Sequence, residues 1–271
     1  MKRVVVSSGF EQLASADFRF LSEAAKTGEV HVLLWSDEAI RATTGREPTF
    51  PLAERRYVLE AVRWVARLAI SGPAVDPDAI PVLPGAAAPD AWVVDEGGAT
   101  AGQRAACAAR GVEYRVLSPQ DLAGFPEPPA VPPSGRKKVI VTGCYDKFHS
   151  GHVRFFEEVS AWGDLYVAIG HDANVRELKG PGHPLYPEAE RRFLVGSIRY
   201  VTQALVTSGM GWLDAEPEIT RLRPDYYAVN EDGDRPEKRA YCAEHGIEYV
   251  VLQRRPKPGL ARRSSTDLRG F

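Results

Sequence analysis

The chain reads as α/β, arranged as two tandem units, each a parallel sheet with helices on both faces. Three features lead there. The two halves repeat one another, each half alternates β-branched segments with helical ones, and a proline-rich stretch lies between them. Repetition of a whole supersecondary pattern outranks local propensity as a guide to architecture, and the alternation implies a parallel sheet.

The repeat is read residue by residue. Val4-Val5-Val6-Ser7 aligns with Val139-Ile140-Val141-Thr142, a register of 135 residues. In that register Arg19-Phe20 meets Arg154-Phe155, Gly28 meets Gly163, Asp37 meets Asp172 and Arg41 meets Arg176. After one inserted residue, Pro51-x-Ala53-Glu54-Arg55-Arg56 matches Pro187-x-Ala189-Glu190-Arg191-Arg192. Asp95-Glu96-Gly97-Gly98 faces Asn230-Glu231-Asp232-Gly233. Arg104-Ala105-x-Cys107-Ala108 with Gly111-x-Glu113-Tyr114 meets Arg239-Ala240-x-Cys242-Ala243 with Gly246-x-Glu248-Tyr249.

In the second half, residues 138–142 form a β-branched run, and a helix follows from about Gly151. Residues 165–169 read as a second buried strand, and 187–198 as a helix with proline in its first turn. Strands follow at 200–206 and 226–229, a helix at about 236–244 and a fifth strand at 248–252. Between the halves, Pro119, Pro126, Pro128, Pro129, Pro132 and Pro133 mark an extended, stiff linker with no core of its own. The expected domains are 1–133 and 134–271.

Composition narrows the function. At 44% hydrophobic residues the chain can fill two modest cores, and a net charge of -2 gives no electrostatic reason to expect a nucleic-acid partner. No apolar run is long enough to span a bilayer. The start, Met1-Lys2-Arg3-Val4-Val5-Val6, runs straight into a strand and lacks a signal-peptide pattern. Cys107, Cys144 and Cys242 form no Cys-x-x-Cys pair, which argues against a disulfide framework or a zinc site. A soluble cytoplasmic protein is the expectation.

The chemistry concentrates in Gly143-Cys144-Tyr145-Asp146-Lys147-Phe148-His149-Ser150-Gly151-His152, between the first strand and first helix of the second half. Backbone N–H groups and the helix dipole make such a junction a place for an anion. Gly151 lets a phosphate approach the backbone.

This stretch resembles the Gly-x-(Phe/Tyr)-Asp-x-x-His-x-Gly-His signature of the cytidylyltransferase-like nucleotidyltransferases, a Rossmann-like family. The tandem plan is similar to that of ethanolamine-phosphate cytidylyltransferase, with the two units forming a pseudo-dimer. The resemblance implies transfer of CMP from CTP to a small phosphate- or phosphonate-bearing acceptor, with pyrophosphate released. It casts His149, His152 and Lys179 as catalytic. Gly143, Cys144, Tyr145, Gly151, Asn230, Asp232, Arg263, Ser264, Ser265 and Thr266 would bind nucleotide. Asp146 and Arg191 would serve the acceptor, although Arg55 repeats Arg191 in the other half and makes a structural role equally open. Ser264-Ser265-Thr266 matches the family's serine–threonine helix start, but Arg263 replaces the usual apolar residue. The upstream arginine of that motif is displaced, and Arg254 or Arg255 could serve. Magnesium, bound mainly by phosphates, is implied, with no protein metal cage.

The first half lacks this site. Ala14 and Asp17 stand in the register of His149 and His152, Ala16 in that of Gly151 and Thr44 in that of Lys179. This half is expected neither to bind nor to turn over nucleoside triphosphate, and to replace a second subunit, leaving a monomer or a homodimer. Two other readings stay open: an adenylyltransferase using ATP on a phosphosugar-like acceptor, and a nucleotide-sensing or scaffold protein without turnover.

Overall fold

The computed structural model describes residues 1–264. The chain divides into two compact units, Met1–Gly124 and Phe125–Phe271. The first holds strands β1 (Arg3–Ser8), β2 (Glu29–Leu34), β3 (Val65–Ile70), β4 (Ala91–Asp95) and β5 (Glu113–Leu117), in the order β3-β2-β1-β4-β5. The second holds β6 (Lys138–Gly143), β7 (Asp164–Ile169), β8 (Val201–Val206), β9 (Tyr226–Asn230) and β10 (Glu248–Leu252), in the same spatial order. All pairings are parallel. In each sheet the winding reverses beside the first strand, between β1 and β4 and between β6 and β9. A crevice opens at such a point beyond the strands' carboxyl ends.

The helices are α1 (Ser15–Ala25), α2 (Asp37–Thr44), α3 (Leu52–Glu60) and α4 (Ala101–Arg110) in the first unit. The second contains α5 (Ser150–Ser160), α6 (Asp172–Lys179), α7 (Glu188–Gly196), α8 (Glu216–Leu222) and α9 (Pro236–Glu244). Covered on both faces, the central strands are apolar without alternation: Val4, Val5, Val6, Val139, Ile140 and Val141 are all buried. No helix among the described residues is long and apolar enough to cross a membrane.

Two departures from the sequence reading have simple causes. The proline run is not a free linker, and the units part at Gly124 rather than Pro133. Phe125 lies 5.6 Å from the Phe193 ring, Val131 N donates to Thr202 O at 3.0 Å, and Pro128 sits so close to Gly196 that a Cβ there would lie 2.1 Å from its Cγ. Residues 125–133 are thus laid along α7 and β8. The segment around Lys179, read as a loop, is α6, with His171 Nδ1 capping it by accepting from Asn174 N at 3.3 Å. Only Ala173, Val175 and Leu178 are apolar among its eight residues, too few to show a period.

The repeated glycines have a shared cause as well. A Cβ on Gly163 would lie 1.9 Å from Lys137 O, and one on Gly28 2.2 Å from Lys2 O. In each unit the turn entering the second strand lies directly on the backbone leading into the first. Gly163→Ala should therefore lower the stability of the second unit by about 1–3 kcal/mol, read as a fall in its urea midpoint. An unchanged midpoint would show that the turn can shift at no cost.

Candidate active site

At the carboxyl end of β6 the chain turns through Cys144 and Tyr145 before α5 begins. Tyr145 is in the left-handed region, at φ 55°. That turn folds its ring back over Gly143, where a Cβ would lie 2.8 Å from the ring's Cζ. The Tyr145 ring then meets His152 edge-on at 5.2 Å, while Phe148 stacks on His152 at 5.5 Å. His149 stacks on the same imidazole at 3.9 Å. His152 is therefore held by rings on several sides. Burial pushes its pKa well below the ordinary value, and the nearby charges of Arg254 and Lys179 push the same way. Its imidazole is neutral at physiological pH.

His149 plays a different part. It is the N-cap of α5, and its Nδ1 accepts from Gly151 N at 3.1 Å, so its proton sits on Nε2. It is buried and does not line the cavity beside it. Gly151 is bare for a reason: a Cβ there would lie 2.9 Å from the His149 ring and 3.6 Å from Arg263 O.

The cavity has a volume of about 750 Å³ in the first unit and about 380 Å³ in the second. The smaller one belongs to the His-x-Gly-His segment. Gly143, Cys144, Tyr145, Asp146, His152, Lys179, Asn230, Asp232 and Ser264 all line it. Arg254 lines it too, held to Asp232 at 2.8 Å. Arg255 bonds Gln253 and is not among the residues that line this cavity. Arg263 O lies 3.6 Å from where a Cβ on Gly151 would sit. Ser265 and Thr266 lie outside the described residues.

Two acceptor assignments change in kind. Asp146 is on the cavity wall, but its carboxylate is occupied. It accepts from Leu185 N at 2.6 Å, Tyr186 N at 3.0 Å and faces His183 Nδ1 at 3.1 Å, so it pins the loop before α7. Arg191 is not among the residues that line this cavity. It is fully buried and donates to Tyr186 O at 2.9 Å, Cys144 O at 2.7 Å, Gly170 O at 2.8 Å and Asp172 Oδ1 at 2.6 Å. Arg55 makes the same set in the first unit, to Phe50 O, Gly9 O, Trp35 O and Asp37 Oδ1. A network repeated in a unit without the histidines is architecture.

Lys238, Asp214, Trp212 and Arg235 are among the cavity residues that escaped the sequence reading. Lys238, on α9, reaches Thr142 Oγ1 at 3.1 Å; burial lowers its pKa, with Asp214 opposing. Asp214 is itself raised by burial. Trp212 is half-exposed, and Arg235 lies 4.6 Å from its ring centroid. Lys238 had one signal, since Gln103 replaces it in the first half. Arg235 stands in the register of Thr100, while Trp212 and Asp214 lie outside the matched segments.

The site thus combines a neutral imidazole, a helix amino terminus, and the basic side chains of Lys179, Arg235, Lys238 and Arg254 around one cavity. That set suits polyphosphate. Residues 140–269 match the family model described as cytidylyltransferase-like. An FAD synthase of Ferroglobus placidus is 33% identical over 123 residues, 45% of this chain and 78% of that protein. The bifunctional protein HldE of Azotobacter vinelandii is 33% identical over 137 residues, 49% of this chain but only 27% of HldE. The crystal structure of a lipopolysaccharide core biosynthesis protein from Thermoplasma volcanium shares 22% identity at a TM-score of 0.39, covering 45% of this chain and 99% of that one. The family match and the FAD synthase likeness, falling on a chain whose switch-point cavity carries the signature residues, establish that it belongs to the cytidylyltransferase-like family of nucleotidyltransferases.

Proposed function

We propose that the second unit transfers CMP from CTP to a phosphate or phosphonate oxygen of a small acceptor. The acceptor oxygen bonds to the α-phosphorus, the bond from that phosphorus to the bridging oxygen breaks, and pyrophosphate leaves. Negative charge gathers on the α-phosphate and the leaving group, and aimed donors lower that barrier. The observation carrying this reading is that His152, Lys179, Arg254 and Ser264 all line one cavity beside the amino end of α5. His152, neutral, donates one N–H without needing to ionise. Lys179 and Arg254 supply fixed cations. Magnesium would arrive on the triphosphate as part of the substrate; among the described residues no group of three or more His, Cys, Asp or Glu side chains could hold a metal ion.

The relative named for FAD, an adenine dinucleotide, favours a second reading with ATP as donor and a phosphosugar-like acceptor. The first unit is proposed to be inactive toward triphosphates, because its cavity is lined by Asp17, Asp76 and Asp95 and by no lysine, arginine or histidine.

The test is pyrophosphate release with CTP and with ATP against a panel of small phosphates and phosphonates. Release with a CTP pair supports the first reading, and release with ATP alone the second. Silence across the panel, with tight triphosphate binding, would replace both by a nucleotide-sensing protein.

A further inference from the structure

The larger cavity lies in the unit that lost the histidines. It occupies the switch point between β1 and β4, is bounded entirely by residues of the first unit, and measures about 750 Å³. That is the size range of ligand sites rather than packing faults. The charged lining of this crevice is acidic, whereas Lys179, Arg235, Lys238 and Arg254 line that of the second unit.

The wall has two kinds of surface. Phe10, Phe20, Trp35 and Trp92 supply aromatic faces. Trp35 is anchored, its Nε1 donating to Ser7 Oγ at 2.8 Å. Trp92 is buried, and among the described residues nothing accepts from its indole N–H. The charged groups are Asp17, Asp76 and Asp95, with no basic side chain opposite them. Asp17 replaces His152 in register and sits in the first turn of α1, accepting from Ala14 N at 2.8 Å. Burial raises its pKa to about 6; the Ala14 hydrogen bond opposes this, and the charges of Asp95 and Glu11 add to it. It is a carboxylate short of a counter-ion.

We propose that the first unit's cavity is a binding site for a nucleoside-sized organic cation, a protonated amine on an aromatic or apolar body, held by the carboxylates of Asp17 and Asp95 and the faces of Trp35 and Trp92. An ammonium supplies the charge this wall lacks, and its desolvation is offset by the carboxylates and by cation–π contact. A phosphate ester would be repelled by the same groups. The site is independent of the chemistry proposed for the second unit.

The test is calorimetric titration of the full chain with three probes sharing one ring: tryptamine, its neutral counterpart tryptophol, and indole-3-acetate. Tryptamine should bind about tenfold more tightly than tryptophol or better, and indole-3-acetate should not bind measurably. Asp17→Asn and Asp95→Asn should each bring tryptamine down toward tryptophol. Asp95 is exposed and tolerates the change even if Asp17→Asn disturbs α1. Equal binding of the three probes, binding of none, or a cation preference that survives both substitutions would overturn the proposal.

Discussion

His152→Ala is expected to lower pyrophosphate release by at least about a hundredfold, the usual effect of deleting one donor aimed at developing charge. The secondary structure should be retained, which far-ultraviolet circular dichroism checks. His152 is the one histidine of the signature that faces the cavity, whereas His149 is committed to capping α5. Ala14→His, which restores only the type of residue at the first unit's corresponding cap, should leave the rate unchanged. Near-normal turnover in His152→Ala would remove the imidazole from the mechanism. The buried environment also fixes a pH dependence. Because the folded pKa of His152 is depressed, the unfolded chain takes up a proton first as pH falls below about 6.5, so this residue erodes stability on acidification from there. Between pH 7 and 8 it stays neutral, and rate changes in that interval arise elsewhere.

Arg191→Met is expected to cost the second unit about 3–5 kcal/mol, because it strips donors from three backbone carbonyls and from Asp172 at once. Methionine keeps much of the volume, so the loss reads the network rather than a cavity. Arg55→Met should cost the first unit a comparable amount through the matching set. Urea unfolding followed by hydrogen exchange separates the two units. A loss under about 1 kcal/mol in both would mean that the repeated network is incidental to stability.

Much of the molecule was legible because it is written twice. The repeated valine runs, the glycines at Gly28 and Gly163, and the arginines at Arg55 and Arg191 each mark a backbone requirement common to both units. The same comparison favours a structural role for Arg191, since Arg55 makes the matching set of hydrogen bonds in the other unit. His152, Lys179 and Ser264 were named from the family resemblance, and all three line one cavity. What escaped depends on tertiary placement. Trp212 and Asp214 follow β8 in a segment without period, and α6 is too short and too charged to announce itself. Residues 125–133 look like a linker until Phe193 and Gly196 supply a surface for them. The first unit's cavity was hidden for a related reason. Asp17, readable in the register of His152, puts a carboxylate at that position, but the residues that line the crevice, including Trp35 and Trp92, meet only in the fold.

The central claim is that phosphate binding is confined to the second unit. Calorimetric titration of the full chain with CTP, repeated with ATP, tests it most directly. The account predicts one triphosphate site per chain, lost in Lys179→Ala and in Arg254→Ala and kept in Asp17→Asn. Two sites per chain, or one site that persists without Lys179 and Arg254 and disappears with Asp17→Asn, would contradict it.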